Sequence, residues 1–162
     1  MRVLIPFDIE GISPANHFLP ELVNSIEYYN CTVGYGLFRL KQKLDKWDVV
    51  NIHWPEYMIK RNNISQTDID NLENLLKKIS KSCVIALTVH NLRPHHSSIW
   101  DEKIYGLTYK YADGLIHLGK ESIGRFKQEK IHKPYKIIPH GNYDCLKEYE
   151  SDYKEIIKNK KP

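Results

Sequence analysis

At 162 residues, with 41% hydrophobic and 27% charged side chains, the chain has the size and composition of one soluble globular domain. Its formal net charge of +4 is far from the dense basic surface of a dedicated nucleic-acid binder and permits only mild attraction to anionic lipid or phosphate. No stretch approaches the roughly 20 apolar residues of a transmembrane helix, and "MRVLIPFDIEG" has too short an apolar run for a signal peptide. Three widely spaced cysteines, Cys31, Cys83 and Cys145, point to reduced thiols in a cytoplasmic protein rather than to a disulfide framework or a zinc knuckle.

In chain order, "VLIPF" (3–7) reads as a buried strand and "DIEGISPAN" as the polar loop after it. Residues 16–29 carry Phe18, Leu19, Leu22, Val23 and Ile26 at helical spacing. "CTVGYG" (31–36) is a second strand, "LFRLKQKLDKW" (37–47) an amphipathic helix, and "DVVNIHW" (48–54) a third strand. A linker over 55–65 leads into "SQTDIDNLENLLKKISKS", whose capping residues and leucine-isoleucine stripe predict a helix. "CVIALTVH" (83–90) is the most apolar strand and the expected centre of the sheet. A helix over 99–112, a strand over 113–119, a helix over 120–128 and a last strand over 135–141 complete the series. Short strands separated by helices predict an α/β fold: a Rossmann-like, doubly wound, mostly parallel sheet of about six strands with helices on both faces. Residues 1–143 make up this domain, and 144–162 read as a polar, lysine-rich helical tail or linker.

In an open parallel sheet, ligands bind at the carboxyl ends of the strands. Those ends deliver Asp8 and Gly11, then His53, Trp54 and Glu56, then His90, Asn91 and Arg93, then Lys120 and Ser122, and finally His140, Gly141 and Asn142. Three strands thus bring a histidine to one edge. The dinucleotide-binding glycine fingerprint, the phosphate-binding P-loop and the serine nucleophile elbow are all absent from the sequence, which sets aside dehydrogenase, P-loop and serine-hydrolase readings. His90, His95 and His96 in "TVHNLRPHHS" leave several roles open: metal ligand, ligand contact, hydrogen-bonded strand end, or solvated loop. No cysteine or carboxylate accompanies them before Asp101 and Glu102.

The stretches "VVNIHWPE", "ALTVHNLRPHH", "ADGLIHLGKESIGRF" and "YKIIPHGNY" together resemble the N-terminal half of GT-B-fold glycosyltransferases, in particular retaining enzymes of family 4 type from bacterial polysaccharide clusters. The resemblance spans residues 48–143. It implies an acceptor-binding N-terminal domain facing a C-terminal domain that binds the nucleotide-sugar donor, with no metal and no cofactor beyond that co-substrate. His90 would be the catalytic residue, reaching a donor-sugar hydroxyl. Gly11 would lie where the family's backbone approaches the diphosphate, and Gly141 and Asn142 would line the acceptor side. Asn91, Arg93 and His140 complete the candidate substrate-binding set. Two departures stand out: the first loop has one glycine where the family usually has two, and no donor-binding domain has a counterpart in 162 residues. The expectation is a glycosyltransferase as the full-length protein, with this portion inactive alone.

Partners implied are a glycan or lipid-linked acceptor, with nucleotide-sugar reached through the missing domain and no nucleic acid. Arg39, Lys41, Lys43 and Lys46 between apolar residues would suit a helix resting on anionic lipid, giving a cytoplasmic protein with peripheral membrane contact; an ordinary surface helix packed on the sheet has the same pattern. Two competing readings are a non-catalytic Rossmann-like binding or interaction domain and a metal-dependent hydrolase using His90, His95 and His96.

Overall fold

The computed structural model describes residues 1–7, 17–42, 44–59, 63–91, 98–128 and 130–141, with the backbone alone for 41 and 42. The strands are β1 (Arg2–Ile5), β2 (Thr32–Tyr35), β3 (Val49–Ile52), β4 (Val84–Val89), β5 (Gly114–His117) and β6 (Tyr135–Ile137). The helices are α1 (Phe18–Tyr28), α2 (Leu37–Gln42), α3 (Gln66–Ile79), α4 (Ile99–Tyr111) and α5 (Glu121–Gln128). All six strands pair in parallel in one sheet, in the order β2-β1-β3-β4-β5-β6. The expected Rossmann-like α/β architecture is therefore observed. The order reverses between β1 and β3, the switch point of a doubly wound sheet.

Strand alternation sorts the side chains onto two faces. Leu4, Val50, Ile52, Ile85, Leu87, Val89 and Leu115 share one face in register and join a single core with Leu40 of α2, Leu72, Leu76 and Ile79 of α3, Ile104 of α4 and Phe126 of α5. Each fully buried leucine or isoleucine contributes about 2 kcal/mol through the apolar surface it removes from water. The opposite face carries Val3, Ile5, Asn51 and Thr88, all buried, and α1 lies there with its buried Leu19. Right-handed crossovers require this split, because only the β1-to-β2 connection runs in the reverse direction across the sheet.

Local chemistry sets the element ends. Capping boxes start α3 and α4: Ser65 with Asp68, and Ser98 with Asp101. Asp101, weighed in the sequence as a neighbour of the histidine cluster, is thus occupied by a helix cap. Pro6, which has no N–H, follows the last residue of β1. The helix expected over 37–47 is instead α2 followed by a separate 3-10 turn, Leu44–Lys46. The linker expected from residue 55 holds another 3-10 turn, Pro55–Met58, with Glu56 buried inside it. Its carboxylate accepts a 2.8 Å hydrogen bond from Tyr105, and burial together with that carboxylate pushes the Tyr105 phenol well above its usual range. The last strand is shorter than the expected 135–141, because its partner β5 ends at His117 and Pro139 offers no donor to continue the ladder. No helix among the described residues is long and apolar enough to cross a membrane.

Candidate functional site

The face covered by α1 continues past the carboxyl ends of the strands. In β3 the alternation runs Asn51, His53; in β4 it runs Thr88, His90; after β6 it runs Ile138, His140. All three histidines therefore rise on the α1 side of the sheet edge, beside the switch point. Phe18, the first residue of α1, is set down among them. Its ring centroid lies 4.8 Å from that of His90, 4.8 Å from His140 and 5.5 Å from His53, in each case edge-to-face. Such contacts are worth about 1 kcal/mol each and hold the rings in defined orientations.

His90 is half-buried, with Trp54 stacked on its other side at 4.6 Å and 26°. Trp54 is braced in turn by Phe7 at 5.0 Å and Tyr57 at 6.5 Å. Beneath lies His53, only 3% exposed, whose Nδ1 is 3.0 Å from His90 Nε2. Among the described residues, His53 Nε2 is buried without a hydrogen-bond partner. Burial, then the neighbouring His140, lowers the His90 pKa to about 4, and burial and His90 push His53 well below the ordinary histidine value. Both rings are neutral near pH 7. The described members of this cluster are rings carrying a few polar nitrogens, a surface that can pack on the apolar face of a polyhydroxylated ligand and hydrogen-bond its oxygens.

Of the candidate residues read from the sequence, His90 and His140 come together here, and Asn91 follows His90 on the exposed rim. Gly141 is exposed, and a Cβ there would meet nothing within 4 Å among the described residues. Gly11, Arg93 and Asn142 lie outside the described residues, as do His95 and His96. The basic helix residues proposed for lipid contact divide similarly: Arg39 donates to the Tyr35 carbonyl at 3.0 Å, while the side chains of Lys41 and Lys43 are outside the description.

Sequence reasoning placed His53 at a strand end but left it out of the site, and it read Phe18 only as one apolar residue in a helical stripe. The strand parity of His53 and His90 carried the signal for the first. Nothing local marks Phe18, whose role depends on how α1 lies across the sheet. A further histidine, His117, goes the other way: it points to the main core, where its Nδ1 meets Ser122 Oγ at 2.7 Å. Among the described residues no group of three or more histidine, cysteine, aspartate or glutamate side chains is arranged to hold a metal ion. Cys31 and Cys83 are free thiols, and Cys83 donates to the Trp47 carbonyl at 3.2 Å. Comparison with known proteins found no family model that matches the chain and no matching curated sequence.

Proposed function

We propose that this chain is the acceptor-binding N-terminal domain of a glycosyltransferase that moves a sugar from a nucleotide-sugar donor to a glycan or lipid-linked glycan in polysaccharide biosynthesis. The observation that supports it best is the position of His90: neutral, half-buried between Trp54 and Phe18, at the carboxyl end of a central strand near the switch point. In the reaction, an acceptor hydroxyl forms a bond to the anomeric carbon. The nucleoside diphosphate departs with the electron pair of the broken bond, and the hydroxyl proton passes to an oxygen of that leaving diphosphate. His90 contributes by hydrogen-bonding a sugar oxygen, and the surrounding rings restrict the sugar's orientation. The diphosphate's charge requires preorganised positive groups, which the reading assigns to a second, donor-binding domain. That division makes this domain inactive alone, acting at the cytoplasmic membrane surface when the acceptor is lipid-linked.

The test is transfer from nucleotide-sugar donors by the full-length natural protein, comparing wild type with His90→Ala. Loss of at least about tenfold in rate is expected for one transition-state hydrogen bond. Unchanged turnover in a folded variant removes His90 from the reaction. A full-length protein that neither binds nor turns over any nucleotide-sugar overturns the reading and leaves a non-catalytic binding domain.

A further inference from the structure

The contact between His53 and His90 constrains where their protons sit. Both rings are neutral, so each carries one ring proton. A 3.0 Å approach of His53 Nδ1 to His90 Nε2 accommodates one proton between them, neither two nor none. Two arrangements satisfy this. In one, His90 Nε2–H donates to His53 Nδ1; the His53 proton must then sit on Nε2, which is buried without a partner among the described residues. In the other, His53 Nδ1–H donates to His90 Nε2; His53 Nε2 is then a bare nitrogen, and the His90 proton sits on Nδ1.

A buried N–H with no acceptor is the rarer defect in proteins, whereas an acceptor left unsatisfied occurs somewhat more often. The second arrangement avoids the orphaned N–H. The described side chains packed on the pair do not reverse this choice: Phe18 and Trp54 provide rings, and His140, a further titratable ring, lies 6.0 Å from His90 between centroids.

We propose that His53 is a positioning residue that locks His90 as an Nδ1–H hydrogen-bond donor toward the cleft. His90 then offers a proton to a ligand oxygen and has no free lone pair with which to act as a base. The tautomer follows from the two rings alone; the identification of the oxygen as a sugar's rests on the glycosyltransferase reading. His53 acts through His90 and need not touch the ligand. This arrangement gives a function to a buried polar ring that would otherwise only weaken the core.

Long-range proton–nitrogen NMR correlation on the nitrogen-15-labelled chain at pH 7 tests it, with His90 identified by the signals lost in His90→Gln. The expected spectrum shows the His90 proton on Nδ1 and a bare, pyridine-like Nε2. His90 with its proton on Nε2, or as an imidazolium, overturns the proposal. His53→Phe keeps a buried ring and removes the donor, so the His90 signals should shift toward the Nε2–H form favoured by a free side chain. A folded His53→Phe, or His53→Leu if the first does not fold, that retains Nδ1–H on His90 also overturns it. The wild-type spectrum decides the tautomer even if neither variant folds. Because this readout needs no sugar, its failure is distinguishable from failure of the transfer assay.

Discussion

His90 and His117 show how one residue of register separates a candidate functional ring from a structural one. Val89 at the end of β4 is paired in register with His117 at the end of β5. His90, one position further, therefore rises on the opposite face. His117 falls into the main core at 1% exposure, with Phe126 and Tyr135 edge-on at 5.0 and 5.4 Å. Its hydrogen bonding closes locally: Ser122 Oγ donates to the Gly119 carbonyl at 3.0 Å, which leaves the same oxygen to accept from His117 Nδ1–H. His90 has no such closed circuit. It shares a proton with a buried ring whose far nitrogen has no partner among the described residues, and it remains half-exposed at the sheet edge. His117, hydrogen-bonded within its own segment, fastens the fold, whereas the setting of His90 suits the ligand contact proposed for it.

The contrast can be broken first by truncation. His117→Ala should destabilise the domain by about 3 kcal/mol, as for removal of a buried ring, while His90→Ala should cost less than half of that, as a half-buried side chain; urea midpoints measure both. Equal losses would erase the distinction between core and site. A second effect comes from pH. The His90 pKa is about 4 in the folded protein and near 6.5 when unfolded, so the unfolded chain binds more protons between those values. Stability is then fully present above about pH 6.5 and falls as the pH drops toward 4. Partial exposure screens the shift, leaving about 2 kcal/mol lost by pH 4. His53 adds in the same direction, and the lowered carboxylates of Glu73, Asp48 and Asp68 add a loss that begins at about pH 5, as the unfolded carboxylates protonate. The acid slope should flatten in His90→Ala; an unchanged slope places its origin elsewhere.

Third, the about tenfold loss of transfer expected for His90→Ala should have no counterpart in His117 variants that remain folded at assay temperature. A rate loss shared by both would show that the assay follows folding rather than the site. The smallest effect sharpens the structural side. Ser122→Ala leaves the His117 Nδ1–H without its acceptor and should cost about 1–2 kcal/mol in urea unfolding, with no change in His90 NMR signals. A shift in those signals would reveal coupling across the sheet between the two rings.

Much of this organisation was legible beforehand. "CVIALTVH" announced a buried central strand, and the alternation of apolar runs with helical stripes announced a parallel, two-faced sheet. The Ser65 cap was visible ahead of its leucine-isoleucine stripe, and the same serine-to-aspartate spacing at Ser98 and Asp101 went unread. The ends of "LFRLKQKLDKW" and "YKIIPHG" were less legible, because helix continuity and strand length depend on the neighbours each element finds. Glu56 read as a strand-end carboxylate available for chemistry. Its hydrogen bond to Tyr105, 49 positions away, shows it held in the core instead.

The sequence by itself determined that histidines stand at several strand ends and, through period-two alternation, that His53 lies on the same face of its strand as Asn51 and His90 on the same face of its strand as Thr88. Those are local properties of an extended chain. Only the tertiary structure decided that Phe18 and Trp54 enclose His90, that His53 Nδ1 meets His90 Nε2, and that His117 turns into the core. The contacts onto His90 join segments 36, 37 and 72 positions apart. They depend on the strand order at the β1/β3 switch and on the face to which each crossover carries its helix, which local periodicity does not encode.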